Sequence, residues 1–265
     1  MQEGEQGRQL VAPGAKRFLE QEAVKLASSL GVQHLELRYK TAQHNEFTTR
    51  SQHAYFACEL ADGAEQILAN IKKKQRAVIR HALKEDLNYT LDIDNDDFYQ
   101  TYSESVRNLG TPVFSKAFFK KIREVFPAQT EVLTVRHQHK AVSSVMSFYF
   151  KGEVLPYYGG GIAQAKSLKS NDFMYYQLMC HAKNDMGCER YDFGRSKIDS
   201  GAYHYKKHWG MEGVELPYQY YLVNADDLPN LSPNNPKYQL FIKLWQKLPL
   251  AVSQWLGPKL SKYLG

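Results

Sequence analysis

A series of strand patterns between residues 131 and 223, interrupted by one helical pattern, constrains the fold of this chain more than any other feature. Alternating apolar residues predict five strands, and apolar residues at helical spacing predict one helix between the third and fourth. The strands are 131–137, 141–150, 153–158, 190–194 and 217–223, and the helix is 172–186. Short connections predict hairpins between the first three strands. This order predicts an α/β or α+β fold with a mixed sheet.

The part of the chain before residue 131 also alternates helical and strand patterns. Helices are predicted at 15–30, 64–84, 94–109 and 115–125, and strands at 34–39, 54–60 and 87–93. Gly31, Gly110 and Pro127 are expected to end three of these helices, because glycine accepts a positive φ and proline cannot continue a helix.

Composition excludes several classes of protein. The 265 residues are 43% hydrophobic and 23% charged, which is typical of a globular protein. Three cysteines without CxxC spacing favour neither a disulfide framework nor a zinc site, and the histidines lack metal-binding spacing, so no metal is expected. The sequence has no apolar signal core and no run of about 18 apolar residues, which predicts a cytoplasmic protein. The net charge of +6 favours polyanionic partners.

Three glycines follow two tyrosines where the strand 153–158 is expected to end, in the run Tyr157, Tyr158, Gly159, Gly160 and Gly161. Glycine permits positive φ and lets a ligand approach the backbone closely. The run is therefore a candidate binding turn. A plain turn that ends the strand is the alternative.

A second candidate site is the run DFGR, which contains Asp192 and Arg195. A kinase would need further catalytic and glycine-rich loops that the sequence lacks, so the kinase interpretation is rejected. Arg195 can grip a phosphate or carboxylate, and Asp192 can hold an incoming amine or act as a base. An internal contact of Asp192 that shapes the turn is the alternative.

Four segments resemble a known family. The sequences LGTPVFSKAFF, SFYFKGEVLPYYGGG, SNDFMYYQLM and YDFGRSKIDSGAYHYKKHWG occupy 109–119, 147–161, 170–179 and 191–210. Together they resemble the FemAB-like proteins of the GNAT superfamily, in particular those associated with PEP-CTERM/exosortase systems. FemAB proteins consist of two fused GNAT-like domains, and their best-known members transfer an amino acid from aminoacyl-tRNA to a peptidoglycan precursor.

The resemblance implies a set of site residues. In the family an aromatic-lysine pair precedes an aromatic-glycine pair, and Tyr205, Lys206, Trp209 and Gly210 occupy those positions. Lys206 is the expected catalytic residue, since a fixed ammonium in a dry cleft stabilises an oxyanion. A solvated basic loop is the alternative. Asp192 is the second catalytic candidate, and the substrate-binding candidates are Tyr157, Tyr158, Gly159, Gly160, Gly161, Asn171, Arg195, Tyr205 and Trp209.

The implied reaction is direct attack of an acceptor on an activated acyl ester, with no covalent enzyme intermediate. The donor would be aminoacyl-tRNA or acyl-CoA, with no tightly bound cofactor, and the acceptor a peptidoglycan or exopolysaccharide precursor. The loop with which ordinary GNAT enzymes bind acetyl-CoA is absent, which weakens an acetyl-CoA-dependent reaction. A non-catalytic module with a degenerate cleft, acting in envelope assembly at the membrane, is the other alternative. A monomer is expected.

Two basic segments are further candidates. Lys72, Arg76, Arg80 and Lys84 are spaced to lie along one face of the helix 64–84, over about 18 Å, and would suit a diphosphate or RNA backbone. A solvated helix face is the alternative. In the C-terminal run 237–265, lysines alternate with leucines and aromatic residues and no acid occurs. This pattern predicts a helix on an anionic membrane, and docking on the chain's own core or on a partner explains it equally well.

The expected domains are 1–61, a partial first GNAT-like domain, then a basic linking helix at 62–86. A catalytic GNAT-like domain at 87–228 and a helical segment at 229–265 follow. Relatives of this type carry a further stretch before the equivalent of the strand 34–39. The chain is therefore expected to be a fragment, a chain with a wrongly assigned start, or a reduced form.

Overall fold

A computed structural model describes residues 13–228 and 236–262, and it shows a mixed α/β fold, as predicted. The helices are α1 Pro13–Leu30, α2 Ala64–Asn70, α3 Lys73–Ala82, α4 Asp96–Asn108, α5 Lys116–Val125, α6 Ala165–Leu168, α7 Ser170–Asn184, α8 Gly201–His208, α9 Pro236–Gln246 and α10 Leu250–Ser261. The strands are β1 His34–Arg38, β2 Thr48–Glu59, β3 Leu87–Leu91, β4 Thr130–His137, β5 Lys140–Phe150, β6 Glu153–Gly161, β7 Arg190–Lys197 and β8 Val214–Leu222.

The chain divides into two compact units, and the division differs from the predicted domains. The first unit holds Met1–Ala54 and Glu215–Leu231, and the second holds Tyr55–Val214 and Ser232–Gly265. The boundaries expected at 61, 86 and 228 do not coincide with these units, and the domain assignment stays a prediction. Because β2 runs through residue 54 and β8 pairs with β1, segments distant in sequence share a unit.

The first unit contains α1, β1, most of β8 and the beginning of β2. β1 and β8 are antiparallel, with His34 opposite Leu222 and Arg38 opposite Tyr218. Gln219 of β8 is fully buried, and its side chain accepts hydrogen bonds from the backbone amides of Gln43 and His44. The loop before β2 is thereby fixed to the strand.

In the second unit the strand order is β2-β7-β6-β5-β4-β3. The pairs β4–β5 and β5–β6 are antiparallel, as the predicted hairpins require. The pair β3–β4 is antiparallel as well, whereas β6 and β7 are parallel. Helix α7 makes the crossover between β6 and β7. A core cluster of Phe98, Val106, Val113, Phe119, Val132 and Met146 packs α4 and α5 against the sheet.

The predicted helix 64–84 is two helices. Ile71 and Lys72 have extended backbone angles, with ψ of 141° and 142°, so α2 ends before them and α3 begins after them. On the side of α3 that packs inward, Ile79 and Ala82 are fully buried, whereas Leu83, just after the helix, is 40% exposed. The chain turns at Ile71 because this side chain is itself buried at 4% exposure.

The segment 195–210, which the sequence predicts to be a loop rich in turns, contains α8. Ser200 caps this helix: its side-chain oxygen accepts a hydrogen bond from the backbone amide of Tyr203 at 3.2 Å. The basic residues of the run are therefore held on a helix, and the alternative of a solvated loop is wrong.

The C-terminal run packs on its own unit. Helices α9 and α10 both contact α4, and Trp245 of α9 is 3% exposed. Arg107 donates a hydrogen bond to the carbonyl of Leu248 at 3.4 Å, and Gly257 lies against the backbone of Val113. Of the three explanations considered, namely a membrane, the chain's own core and a partner, docking on the chain's own core describes the inner face of these helices. Among the described residues, no helix combines the length and the apolar character needed to cross a bilayer.

Candidate active site

Strands β6 and β7 diverge after a short stretch of parallel pairing. Their register joins Glu153 to Arg190 and Val154 to Tyr191. Beyond these pairs a cavity of about 330 Å³ opens between the two strands. Its walls are Leu155, Pro156, Tyr157 and Gly159 of β6, Phe193, Gly194 and Arg195 of β7, Tyr175 of α7 and Lys206 of α8. The lining residues thus include two cations and no carboxylate.

Lys206 places its ammonium group among aromatic rings at this cavity. The Nζ atom lies 5.2 Å from the ring centroid of Phe193 and 5.8 Å from that of Phe56, and it donates a hydrogen bond to the carbonyl of Arg195 at 3.2 Å. Burial lowers the pKa of Lys206 to about 8, and the negative charge of Asp192 opposes this shift in part. A lysine with this pKa is mostly charged at pH 7 and poorly solvated, which suits a group that stabilises an oxyanion.

Asp192 shapes a turn of the backbone within β7. Its Oδ1 atom accepts a hydrogen bond from the backbone amide of Gly194 at 2.8 Å, and Gly194 has a φ of 71°. The Asp192 carboxylate also interacts with the hydroxyl of Tyr55, whose pKa is raised to about 12, first by burial and then by this hydrogen bond. The internal contact that was the alternative is therefore present, and the role of Asp192 as a base stays a prediction.

Arg195 comes directly after Gly194 in the sequence, and its side chain lies exposed at the cavity. Because the turn of Asp192 and Gly194 fixes the backbone here, it also fixes the carbonyl of Arg195 that receives the Lys206 ammonium. The turn therefore sets the position of both cations.

The three glycines Gly159, Gly160 and Gly161 do not form the turn that the sequence predicts. They continue β6 to residue 161, and none has the positive φ that was expected. A Cβ atom at Gly159 would lie 2.8 Å from the hydroxyl of Tyr175, and one at Gly161 would lie 2.6 Å from Cβ of Ala165. At Gly160 it would overlap Ser105 of α4. Glycine is required here because helices approach the strand closely, and of the three only Gly159 lines the cavity.

The two tyrosines before the glycines separate. The register of β5 and β6 joins Met146 to Tyr158 and Ser147 to Pro156, so Tyr157 is the extra residue of a β-bulge. Tyr157 is 61% exposed at the cavity, whereas Tyr158 packs into the core with its ring 5.1 Å from that of Phe119. The bulge turns Tyr157 towards the cavity, and Tyr158 lies in the aromatic core.

Tyr205 and Trp209 pack against the residues that line the cavity. Trp209 is 3% exposed, and its ring contacts those of Tyr175, Phe193 and Tyr205. The hydroxyl of Tyr205 donates to Asp172 at 2.9 Å, and Gln75 of α3 donates to the same oxygen at 2.6 Å. Both predicted residues thus contact the walls of the cavity rather than line it.

Asn171 lies at the other end of the glycine run. Its Oδ1 atom is buried, finds no hydrogen-bond donor among the described residues, and lies 2.7 Å from the position that a Cβ at Gly161 would take. Contact with a substrate stays a prediction for this residue.

The four residues of the predicted basic row lie on α3 and at its two ends. Lys72 has an extended backbone before α3, and Lys84 lies beyond its end, so only Arg76 and Arg80 lie on the helix. Arg76 donates a hydrogen bond to the carbonyl of Ala69 at 2.9 Å. The break between α2 and α3 lies before the row, so Lys72 and Lys84 flank α3 at its two ends and phosphate or RNA binding by the four residues stays a prediction.

Sequence reasoning missed Phe56 and Tyr175, which form walls around Lys206 and the cavity. Tyr175 was within a segment that carried the family resemblance, but Phe56 lies in β2 and reaches the site only through the fold. For metals, the described residues hold no group of three or more histidine, cysteine or acidic side chains that could bind an ion.

A parallel pair of strands that diverges at a β-bulge, with a cavity between them and a crossover helix behind, defines a GNAT-type acyltransferase domain. The chain belongs to the family "Acetyltransferase (GNAT) domain", whose model matches residues 67–207. That range contains the glycine run, both cavity strands and Lys206. None of the curated proteins matches the sequence significantly.

Three solved structures share the fold at low sequence identity. FemX is 13% identical with a TM-score of 0.60, and the match covers 86% of this chain and 79% of FemX. The C-terminal domain of a putative lysylphosphatidylglycerol synthetase from Agrobacterium fabrum is 14% identical, with a TM-score of 0.57 and coverage of 81% and 75%. A tandem GNAT protein from the clavulanic acid biosynthesis pathway is 10% identical, with a TM-score of 0.52 and coverage of 84% and 73%.

Proposed function

We propose that this chain transfers an acyl or aminoacyl group from an activated ester to an amine or hydroxyl of a cell-envelope precursor. The observation that carries the proposal is the Lys206 ammonium, which lies partly desolvated at a cavity whose lining has no carboxylate. Attack of the acceptor on the ester carbonyl places negative charge on the carbonyl oxygen. A positioned cation stabilises that charge by about 3 kcal/mol relative to water.

The step needs no group on the enzyme to become acylated. The acceptor nitrogen or oxygen forms the new bond to the carbonyl carbon, the bond to the donor oxygen or sulfur breaks, and the acceptor proton leaves to solvent or to the departing group. Arg195 at the cavity is placed to hold a phosphate or carboxylate of either substrate.

The fold neighbours support an envelope acceptor. The name of one neighbour, lysylphosphatidylglycerol synthetase, describes transfer of an aminoacyl group to a lipid headgroup, and FemX has the higher TM-score. We therefore propose aminoacyl-tRNA as donor and a peptidoglycan or exopolysaccharide precursor as acceptor, in a FemAB-like protein of a PEP-CTERM/exosortase system.

Acetyl-CoA is the second candidate donor, because the family that matches residues 67–207 is an acetyltransferase domain. The two donors are separated by measuring transfer and thermal stabilisation with aminoacyl-tRNA and with acetyl-CoA in parallel. Stabilisation by acetyl-CoA alone would overturn the aminoacyl proposal. A folded chain that responds to neither donor would be the non-catalytic module.

Replacing Lys206 by alanine tests the mechanism. We expect kcat to fall about 100-fold to 1,000-fold with little change in KM, because the lost interaction forms mainly in the transition state. Lys207→Ala is the matched control, since Lys207 is the next residue of α8 and its ammonium lies over the ring of Tyr203, 5.3 Å away. Equal turnover in the Lys206 and Lys207 variants would remove Lys206 from the mechanism.

A further inference from the structure

The outer faces of the two C-terminal helices combine exposed apolar side chains with lysines. On α10, Val252, Trp255 and Lys259 follow one another at spacings of three and four residues, so they share one face. Trp255 is 65% exposed, and the Lys259 ammonium lies 3.8 Å from its ring centroid. This face points away from the buried Ser253 and Gly257.

Helix α9 repeats the arrangement. Leu240 and Leu244 are 61% and 59% exposed, and Lys243 and Lys247 are exposed beside them. The buried residue of this helix is Trp245, on the side that packs towards α4. Each helix thus buries a narrow face against its own unit. Its outer face exposes leucine or tryptophan side chains, together with lysines, to solvent.

The charge of the segment is of one sign. Residues 236–262 contain no aspartate or glutamate. Exposed leucines and a tryptophan among lysines are the composition of surfaces that lie on a bilayer, where apolar side chains enter the acyl boundary and lysines reach the phosphates. The cation over the Trp255 ring fits the same interface, because an indole and an ammonium both stay at headgroup depth.

We propose that the outer faces of α9 and α10 dock on an anionic lipid surface, with Trp255, Leu240 and Leu244 inserted and Lys243, Lys247 and Lys259 on the headgroup phosphates. The docking is peripheral and independent of the chemistry at Lys206. A second copy of the chain fits these faces poorly, because self-contact would bring like charges together. Nucleic acid would use the lysines and leave the leucines and Trp255 exposed to water.

Tryptophan fluorescence of the full chain tests this docking, because Trp209 and Trp245 are each 3% exposed and only Trp255 of the three is open to solvent. Vesicles of phosphatidylcholine with phosphatidylglycerol should shift the emission to shorter wavelength and sediment the protein, and vesicles of phosphatidylcholine alone should do neither. Trp255→Ala should abolish the shift and weaken sedimentation.

The charge contribution is tested by Lys243→Gln with Lys247→Gln, which should lower the vesicle partition coefficient about 10-fold at low salt. Lys73→Gln with Lys74→Gln on α3 is the matched control, because both residues are exposed and the charge lost is the same. Equal loss in the two pairs would overturn the assignment of the surface. The absence of binding to anionic vesicles at low salt would also overturn it, as would lysine-dependent binding to RNA without binding to vesicles.

Discussion

At the scale of single residues, the role proposed for Lys206 rests on an environment that opposes its positive charge. It lies between the rings of Phe56 and Phe193, and the hydrogen bond to the Arg195 carbonyl holds the ammonium in place. The sequence motif predicted this residue. It could not predict the lowered pKa, because the desolvation comes partly from Phe56, which is 150 positions away in the sequence and joins the site only through the sheet.

The lowered pKa of Lys206 predicts the pH dependence of the transfer step. In the proposed mechanism the charged form is the active one, so the single-turnover rate should fall about tenfold per pH unit above pH 8, where the ammonium loses its proton. Lys206→Arg should keep its charge and move this fall to higher pH, at a lower overall rate. A rate that still rises through pH 9 in the native chain would contradict the assignment.

His181 on α7 predicts a second pH effect, on stability. Both ring nitrogens lie 2.8 Å from carboxylate oxygens, one of Glu131 and one of Asp185. The hydrogen bond with Glu131 raises the pKa of His181, so its stabilising contribution is complete below about pH 6.5 and is lost as the pH rises through the higher folded-state pKa. The pKa of Glu131 is lowered, chiefly by the same bond, and its contribution is lost in acid.

The free energy of unfolding in urea should therefore decline as the pH rises above about 6.5 in the native chain, and less steeply in His181→Gln. His208→Gln provides the control, since His208 is exposed on α8. Parallel pH profiles for the native chain and His181→Gln would show that the cluster does not contribute.

At the scale of elements, periodicity predicted most helices and strands, and it failed where a tertiary contact decides. The break at Ile71 follows from burial of that side chain, and no helical spacing reveals it. Helix α8 was missed because the tyrosines, glycine and basic residues of 200–208 lack an apolar stripe, although Ser200 marks its start. The sequence marked the glycine run as unusual, but the reason for glycine at these positions is the close approach of α4 and α7 to β6.

Gly160→Ala tests that cause. An added Cβ would overlap Ser105 of α4, and overpacking of this kind costs about 1–3 kcal/mol in the free energy of unfolding. Gly201→Ala is the control, because a Cβ there meets nothing within 4 Å. In urea titrations, Ser105→Gly should recover part of the loss in the double variant, and a loss that is fully additive would place the strain elsewhere.

At the scale of the whole molecule, each compact unit is assembled from segments far apart in sequence. The first gathers residues before 54 with those of β8, and the second gathers 55–214 with the C-terminal helices. Composition and local patterns cannot reveal such a division, because it depends on which strands pair. For α9 and α10 the sequence left open whether the helices pack on the chain or on a membrane. In the structure their inner faces pack against α4.

Two tryptophans test whether the C-terminal helices belong to the cooperative fold of the second unit. Trp245 of α9 is 3% exposed, and Trp245→Ala should lower the free energy of unfolding by about 3–5 kcal/mol, since it empties a packed site. Trp255→Ala removes the same side chain from a position 65% exposed and should change that free energy by less than about 0.5 kcal/mol. Urea unfolding followed by circular dichroism measures both. Equal small effects would mean that α9 folds apart from the unit, whereas the expected contrast also shows that Trp255 variants are sound reporters for lipid binding.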